Sequence, residues 1–171
     1  MKPFLEGHED PVTVLLAREM EAITDSDIVD WASRHTASPT YADDEDYLQL
    51  LRCNPRNAPA LGKTPGHLKS LVARRFPDFN DGSAQAGEVA RKLFLRRIGT
   101  YLQGDIEPFQ VCRMISFIEQ KYNFPPWLGD LYNACDWMDE GTTREQASHL
   151  AEAIEQILSD NGESRLPGAP V

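Results

Sequence analysis

Alternating runs of β-branched residues are almost missing from this chain, which argues against strands and leaves helices as the only regular elements its periodicity supports. No stretch approaches the roughly 18 consecutive apolar residues of a membrane-spanning helix. The opening residues, MKPFLEGHED, contain no apolar core of a secretory leader, so the expected location is the cytoplasm. Cysteine is scarce: Cys53, Cys112 and Cys135 are an odd number at wide spacing, a pattern that implies neither a disulfide framework nor a zinc ligand set. Cys112 and Cys135 fall among apolar residues at helical spacing and are expected to be buried free thiols. Four histidines (His8, His35, His67 and His149) are scattered, without a second histidine at metal-binding spacing. HExxH, GxSxG, a glycine-rich phosphate loop and Cys-x-x-Cys are all absent. The expectation is a protein that is not an enzyme, with no catalytic residue, no metal site and no cofactor.

What the chain does have is negative charge. Its 171 residues carry a formal charge of −10, unevenly spread. Residues 1–62 hold 5 basic and 12 acidic side chains, residues 63–98 hold 8 and 3, and residues 99–171 hold 4 and 12. An acidic surface repels phosphate backbones, which disfavours direct nucleic-acid binding, and it steers a basic protein partner inward. Solubility alone is the plainer use of the same charge.

Helix punctuation recurs along the chain. Asp10-Pro11 reads as a cap followed by proline at the first helical position, opening a helix expected to run to Ile23. Thr24-Asp25-Ser26 offers caps for a second helix containing Ile28, Val29 and Trp31, and a third carries Tyr47, Leu48, Leu50 and Leu51. Prolines 55 and 59 mark an irregular crossing. Thr64-Pro65 repeats the cap-then-proline signature. Further helices are expected over 84–102, from Glu107-Pro108 to Tyr122, from Pro125-Pro126 to Gly141, and from a Thr142/Glu145 capping box onward. The fold class is therefore all-α: a compact single-domain bundle of about seven or eight helices, with residues 1–162 as one domain and 163–171 as a flexible C-terminal tail. In the 84–102 helix, Arg91 and Arg97 project into the apolar arc and Lys92 and Arg96 away from it. Because an unpaired buried guanidinium is too costly, Arg91 and Arg97 are expected to meet carboxylates on neighbouring helices or to snorkel to the rim.

Two stretches stand out as candidate binding sites. In FPPWLGDLYNACDWMDEG (124–141), a helical projection places Trp127, Leu128, Leu131, Tyr132, Ala134, Cys135 and Met138 on the core face. Asp130, Asn133, Asp136 and Glu140 fall on the polar face, and Trp137 falls among them. Either a neighbouring element covers that flank, or Trp137 is an anchor ringed by acids, as interface hot spots favour. In YADDEDY (41–47), Tyr41 and Tyr47 flank Asp43, Asp44, Glu45 and Asp46. These could be half-buried tyrosines at a helix start whose acids favour the helix dipole, or a second acidic-aromatic contact surface. A calcium loop does not fit, since its central glycine and distal glutamate are missing.

These two stretches, set in an all-helical acidic chain, resemble the small acidic helical immunity proteins that bacteria use against toxins. The resemblance is one of type. It lacks the tyrosine-pair-proline motif of the colicin nuclease immunity proteins, so no residue role is carried over from them. What it implies is an inhibitor that occludes a basic surface of a protein partner such as a toxin domain, through Trp137, the tyrosines and the carboxylates named above. Two other readings stay open: a regulatory adaptor or nucleic-acid mimic that inhibits a DNA-binding protein, which needs its carboxylates in rows on one face, and a helical enzyme or ligand-binding domain with an unrecognised pocket. The oligomeric state is open.

Overall fold

The computed structural model describes residues 3–35 and 39–162. The C-terminal tail expected at 163–171 lies outside the described residues. The fold is all-α as expected, with no strand among the described residues. Among the described residues eight α-helices follow in order: α1 (Pro11–Glu19), α2 (Asp25–Arg34), α3 (Glu45–Arg52), α4 (Ala58–Leu61), α5 (Thr64–Arg75), α6 (Ala84–Tyr101), α7 (Pro108–Tyr122) and α8 (Ser148–Asp160). Short 3-10 segments lie at Pro39–Tyr41 and Pro126–Asn133. The chain divides into two compact units, Met1–Ala86 and Gly87–Val171, and the boundary falls inside the first turn of α6.

In the first unit, the Asp10 carboxylate accepts from the Thr13 amide at 2.7 Å and Pro11 occupies the first helical position. This satisfies orphan amides at the start of α1. The helix stops at Glu19, short of Ile23, where Glu21 turns to a positive φ. α2 opens on a reciprocal cap, with Asp27 accepting from the Thr24 amide at 2.7 Å and the Thr24 hydroxyl accepting from the Asp27 amide at 3.3 Å. The Thr64 cap does not form. Thr64 is already helical and its hydroxyl donates to the Leu61 carbonyl at 2.7 Å. α5 packs against α1, α2 and α3 over a core that includes Leu16, Met20, Ile28, Leu50, Leu68 and Leu71. Trp31 is fully buried and donates its indole N–H to the Glu9 carbonyl at 3.0 Å.

In the second unit, α6, α7 and α8 bury Phe94, Ile98, Val111, Ile115, Ile118, Leu150, Ile154 and Ile157. Gly87 lets the Tyr122 ring approach closely: a Cβ there would lie 3.2 Å from it, and the ring would have to shift slightly. Arg91 is half-buried. It pairs with Glu88 of its own helix at 3.6 Å, donates to the Asn161 side chain and lies over the Trp127 ring. Its carboxylate thus comes from the same helix and not from a neighbour. Lys92 and Arg96 are exposed and Arg97 is half-buried.

Between α7 and α8 the sequence reading is overturned. No α-helix spans 125–141. Pro126–Asn133 is a 3-10 segment broken at Gly129 (φ 52°, ψ −133°), and turns follow. The capping box shifts by one residue, with Gln146 accepting from the Thr143 amide at 2.9 Å, and α8 begins only at Ser148. Cys112 and Cys135 are joined in a disulfide with a Cα–Cα distance of 5.6 Å, where free thiols were expected. The bond ties α7 to the irregular segment, and Met138 Sδ lies 3.7 Å from Cys112 Sγ. Closing a loop of this length contributes about 3 kcal/mol in the chain-entropy picture.

Candidate functional site

The two acidic-aromatic stretches have opposite fates. In the first, both tyrosines are buried: Tyr41 is 8% exposed and Tyr47 1%. The Tyr47 hydroxyl donates to the Ala32 carbonyl at 2.8 Å, and its ring meets Trp31 edge-on with centroids 6.3 Å apart. Tyr41 stacks on His35 at 5.6 Å. Burial raises the pKa of both phenols, with the Asp10 charge adding to the effect at Tyr41 against the opposing Arg75.

Most of the acids beside them are engaged. Asp44 is buried and caps α3, accepting from the amides of Asp46 at 3.0 Å and Tyr47 at 3.3 Å. Arg74 reaches Asp44 at 2.8 Å and Asp46 at 2.5 Å, while Arg75 reaches Asp43 at 2.9 Å and Asp44 at 3.3 Å. His67 meets Asp46 at 2.7 Å. Burial pushes both carboxyls up. At Asp44 it is outweighed by hydrogen bonds from Arg74 and the Tyr47 amide, and at Asp46 by those from His67 and Arg74, so both are held below the usual carboxylate range. Only Asp43 and Glu45 of the cluster are exposed. The stretch is a structural clamp between α3 and α5, and Tyr41, Asp44, Asp46 and Tyr47 present no docking surface. An open depression of about 480 Å³ beside it is lined by the clamp itself, namely Asp43, Asp44, Glu45, Arg74 and Arg75.

The second stretch faces solvent. Trp137 is 54% exposed, and Asp130, Asn133, Asp136 and Glu140 are all exposed. The covering neighbour considered above is only partial: His149 of α8 stands against one side of the indole, centroids 5.3 Å apart, and its Nε2–H donates to the Ala134 carbonyl at 2.9 Å. Asp130, Asp136 and Glu140 meet no cation among the described residues, and no lysine or arginine occurs between Lys121 and Arg144. Half-buried Glu119 of α7 has its carboxyl pKa raised by burial and by the charge of Asp136, a sign of uncompensated negative potential on this side.

Two more rings join Trp137 at the surface. Tyr132, placed on the core face by the projection, is 47% exposed, and Phe124 is 56% exposed. The projection failed because it assumes a regular 100° step, which Gly129 breaks. Leu128, Leu131 and Ala134 are nevertheless buried. The signal that could have found Phe124 and Tyr132 was the proline pair beside a glycine, which makes a continuous helix unfavourable.

Among the described residues, no cluster of histidine, cysteine or carboxylate side chains could hold a metal ion, and no helix is long and apolar enough to cross a membrane. Compared with known proteins, the chain matches no protein family, no curated protein and no solved structure.

Proposed function

We propose that the protein is a binding inhibitor of the immunity type, not an enzyme, which holds a basic protein partner against the acidic-aromatic surface of residues 124–140. The observation that carries this reading is Trp137: a large ring half open to solvent, in a stretch whose Asp130, Asn133, Asp136 and Glu140 are exposed as well. Such a ring offers contact area at low entropic cost, and exposed carboxylates in the same stretch speed and orient the approach of a positive surface. A toxin domain whose active site is basic has the matching character.

The test is co-expression with the larger toxin gene that an immunity protein should have beside its own. The chain should restore growth, and Trp137→Ala should weaken the complex about 30-fold, the size of a hot-spot loss, with the melting midpoint unchanged. A variant that melts the protein, or that binds as well as wild type, removes the reading. The cytoplasmic placement belongs to the same proposal. The Cys112–Cys135 bond pulls the other way, because disulfides persist in oxidising surroundings. The state of these cysteines in protein taken from its native cell decides between them.

A further inference from the structure

Resting on the inhibitor reading, we infer that the pocket between Phe124 and Tyr132 is the seat for an arginine side chain of the partner. The pocket has a volume of about 310 Å³ and is lined by Phe124, Pro125, Pro126, Leu128, Gly129 and Tyr132. Its two rings stand nearly perpendicular, centroids 5.6 Å apart and planes at 80°, forming two walls of a corner. Asp130 follows Gly129 in the chain and is exposed.

The backbone beside this corner is unusual, in part because α7 ends there on Asn123 as a left-handed C-cap. Asn123 and Phe124 both have positive φ (54° and 52°), as does Gly129 (52°). A bulky side chain at positive φ is a genuine outlier, and such conformations persist only where the surroundings over-determine them, often at ligand clamps. Here the outlier turns an aromatic side chain outward, which burial does not explain.

The choice of occupant follows from charge and from the unit's own habits. Three of its other rings already carry guanidinium groups: Arg91 lies 5.6 Å from the Trp127 centroid, Arg113 5.9 Å from Phe109 and Arg144 4.4 Å from Tyr101. No cation lies over Phe124 or Tyr132 among the described residues. An arginine suits the vacancy better than a lysine. Its planar head stacks on a ring face, its stem packs on the prolines, and its remaining N–H groups stay free for a carboxylate, the nearest in sequence being the exposed Asp130. A purely apolar side chain would fill the volume but gain nothing from a stretch, residues 122–143, that holds four carboxylates and no lysine or arginine.

The probes are the pentapeptide Gly-Arg-Gly-Arg-Gly and its lysine and norleucine counterparts, titrated into the isotope-labelled full chain at fixed salt and followed by amide NMR. The arginine peptide should shift the signals of residues 124–133 and bind at least about fivefold more tightly than the lysine peptide. Phe124→Leu and Tyr132→Leu, which keep apolar bulk and remove a ring face, should erase that preference. Both side chains are half exposed, so folding is retained, and a far-UV CD spectrum verifies it. Equal binding of arginine and lysine peptides, equal binding of the norleucine peptide, or shifts confined to the Trp137 indole would each overturn the assignment. The peptide series needs no natural partner. Its failure removes the arginine seat alone, whereas lost neutralisation with the peptide result intact removes the inhibitor reading alone.

Discussion

Replacing Asp44 by alanine separates a structural clamp from a docking surface. The carboxylate caps α3 through two amides and receives Arg74 and Arg75 from α5. Loss of an N-terminal cap costs about 1 kcal/mol. Breaking a buried ion pair can cost 3–5 kcal/mol when a charge is left stranded, but the Arg74 and Arg75 side chains are 50% and 36% exposed and return to water when released. Their two pairs, screened by water, therefore add little to the cap. Asp44→Ala should lower stability by at least about 1 kcal/mol, which at a typical urea slope moves the midpoint down by roughly 0.5 M. Asp43→Ala removes a carboxylate that is 83% exposed and should stay within about 0.5 kcal/mol of wild type. A double-mutant cycle of Asp44→Ala with Arg74→Ala should show non-additivity of stabilising sign. The pH dependence has a definite sign. The folded carboxyls of Asp44 and Asp46 are held below their ordinary values, so their stabilisation is complete above the unfolded pKa of about 3.9 and is lost as pH falls through the folded values. Wild type and Asp44→Ala should converge in acid. An unchanged urea midpoint combined with loss of partner binding would refute the clamp and restore residues 41–47 as a contact surface.

Glu119→Gln should stabilise the protein at neutral pH, because its folded carboxyl pKa is raised by burial and by Asp136; the gain should vanish as pH falls below the unfolded value of about 4.3, as seen in melts across that range. Alkylation of unreduced protein should label Cys53 alone, and Cys112→Ser with Cys135→Ser should lower stability by about 3 kcal/mol in urea; labelling of all three cysteines in native protein would deny the bond.

Helix starts were readable where the signal is local. Asp10-Pro11 and Glu107-Pro108 need only adjacent residues to begin α1 and α7, and the broad apolar arc of α6 is a property of its own sequence. What was misread depends on distance. Asp44 is claimed by arginines 30 and 31 residues away, and no inspection of YADDEDY reveals them. Cys112 and Cys135 are 23 residues apart, and spacing alone cannot distinguish a bonded pair from two buried thiols. In the 124–141 stretch, one glycine at positive φ was enough to break the regular step on which the projection rested, turning Tyr132 outward although Leu131 and Ala134 stayed inward. Trp137 was singled out for the wrong geometric reason, since the projection that isolated it describes a helix that does not form.

The rings at 124, 132 and 137 sit on a stretch with no α-helical hydrogen-bond ladder, pinned near its middle by Cys135. Exchanging one of them alters the outward contour without removing a fully buried side chain. Such a region can change its outward contour by single substitutions while the helical framework stays as it is, much as a hypervariable loop does on a fixed scaffold.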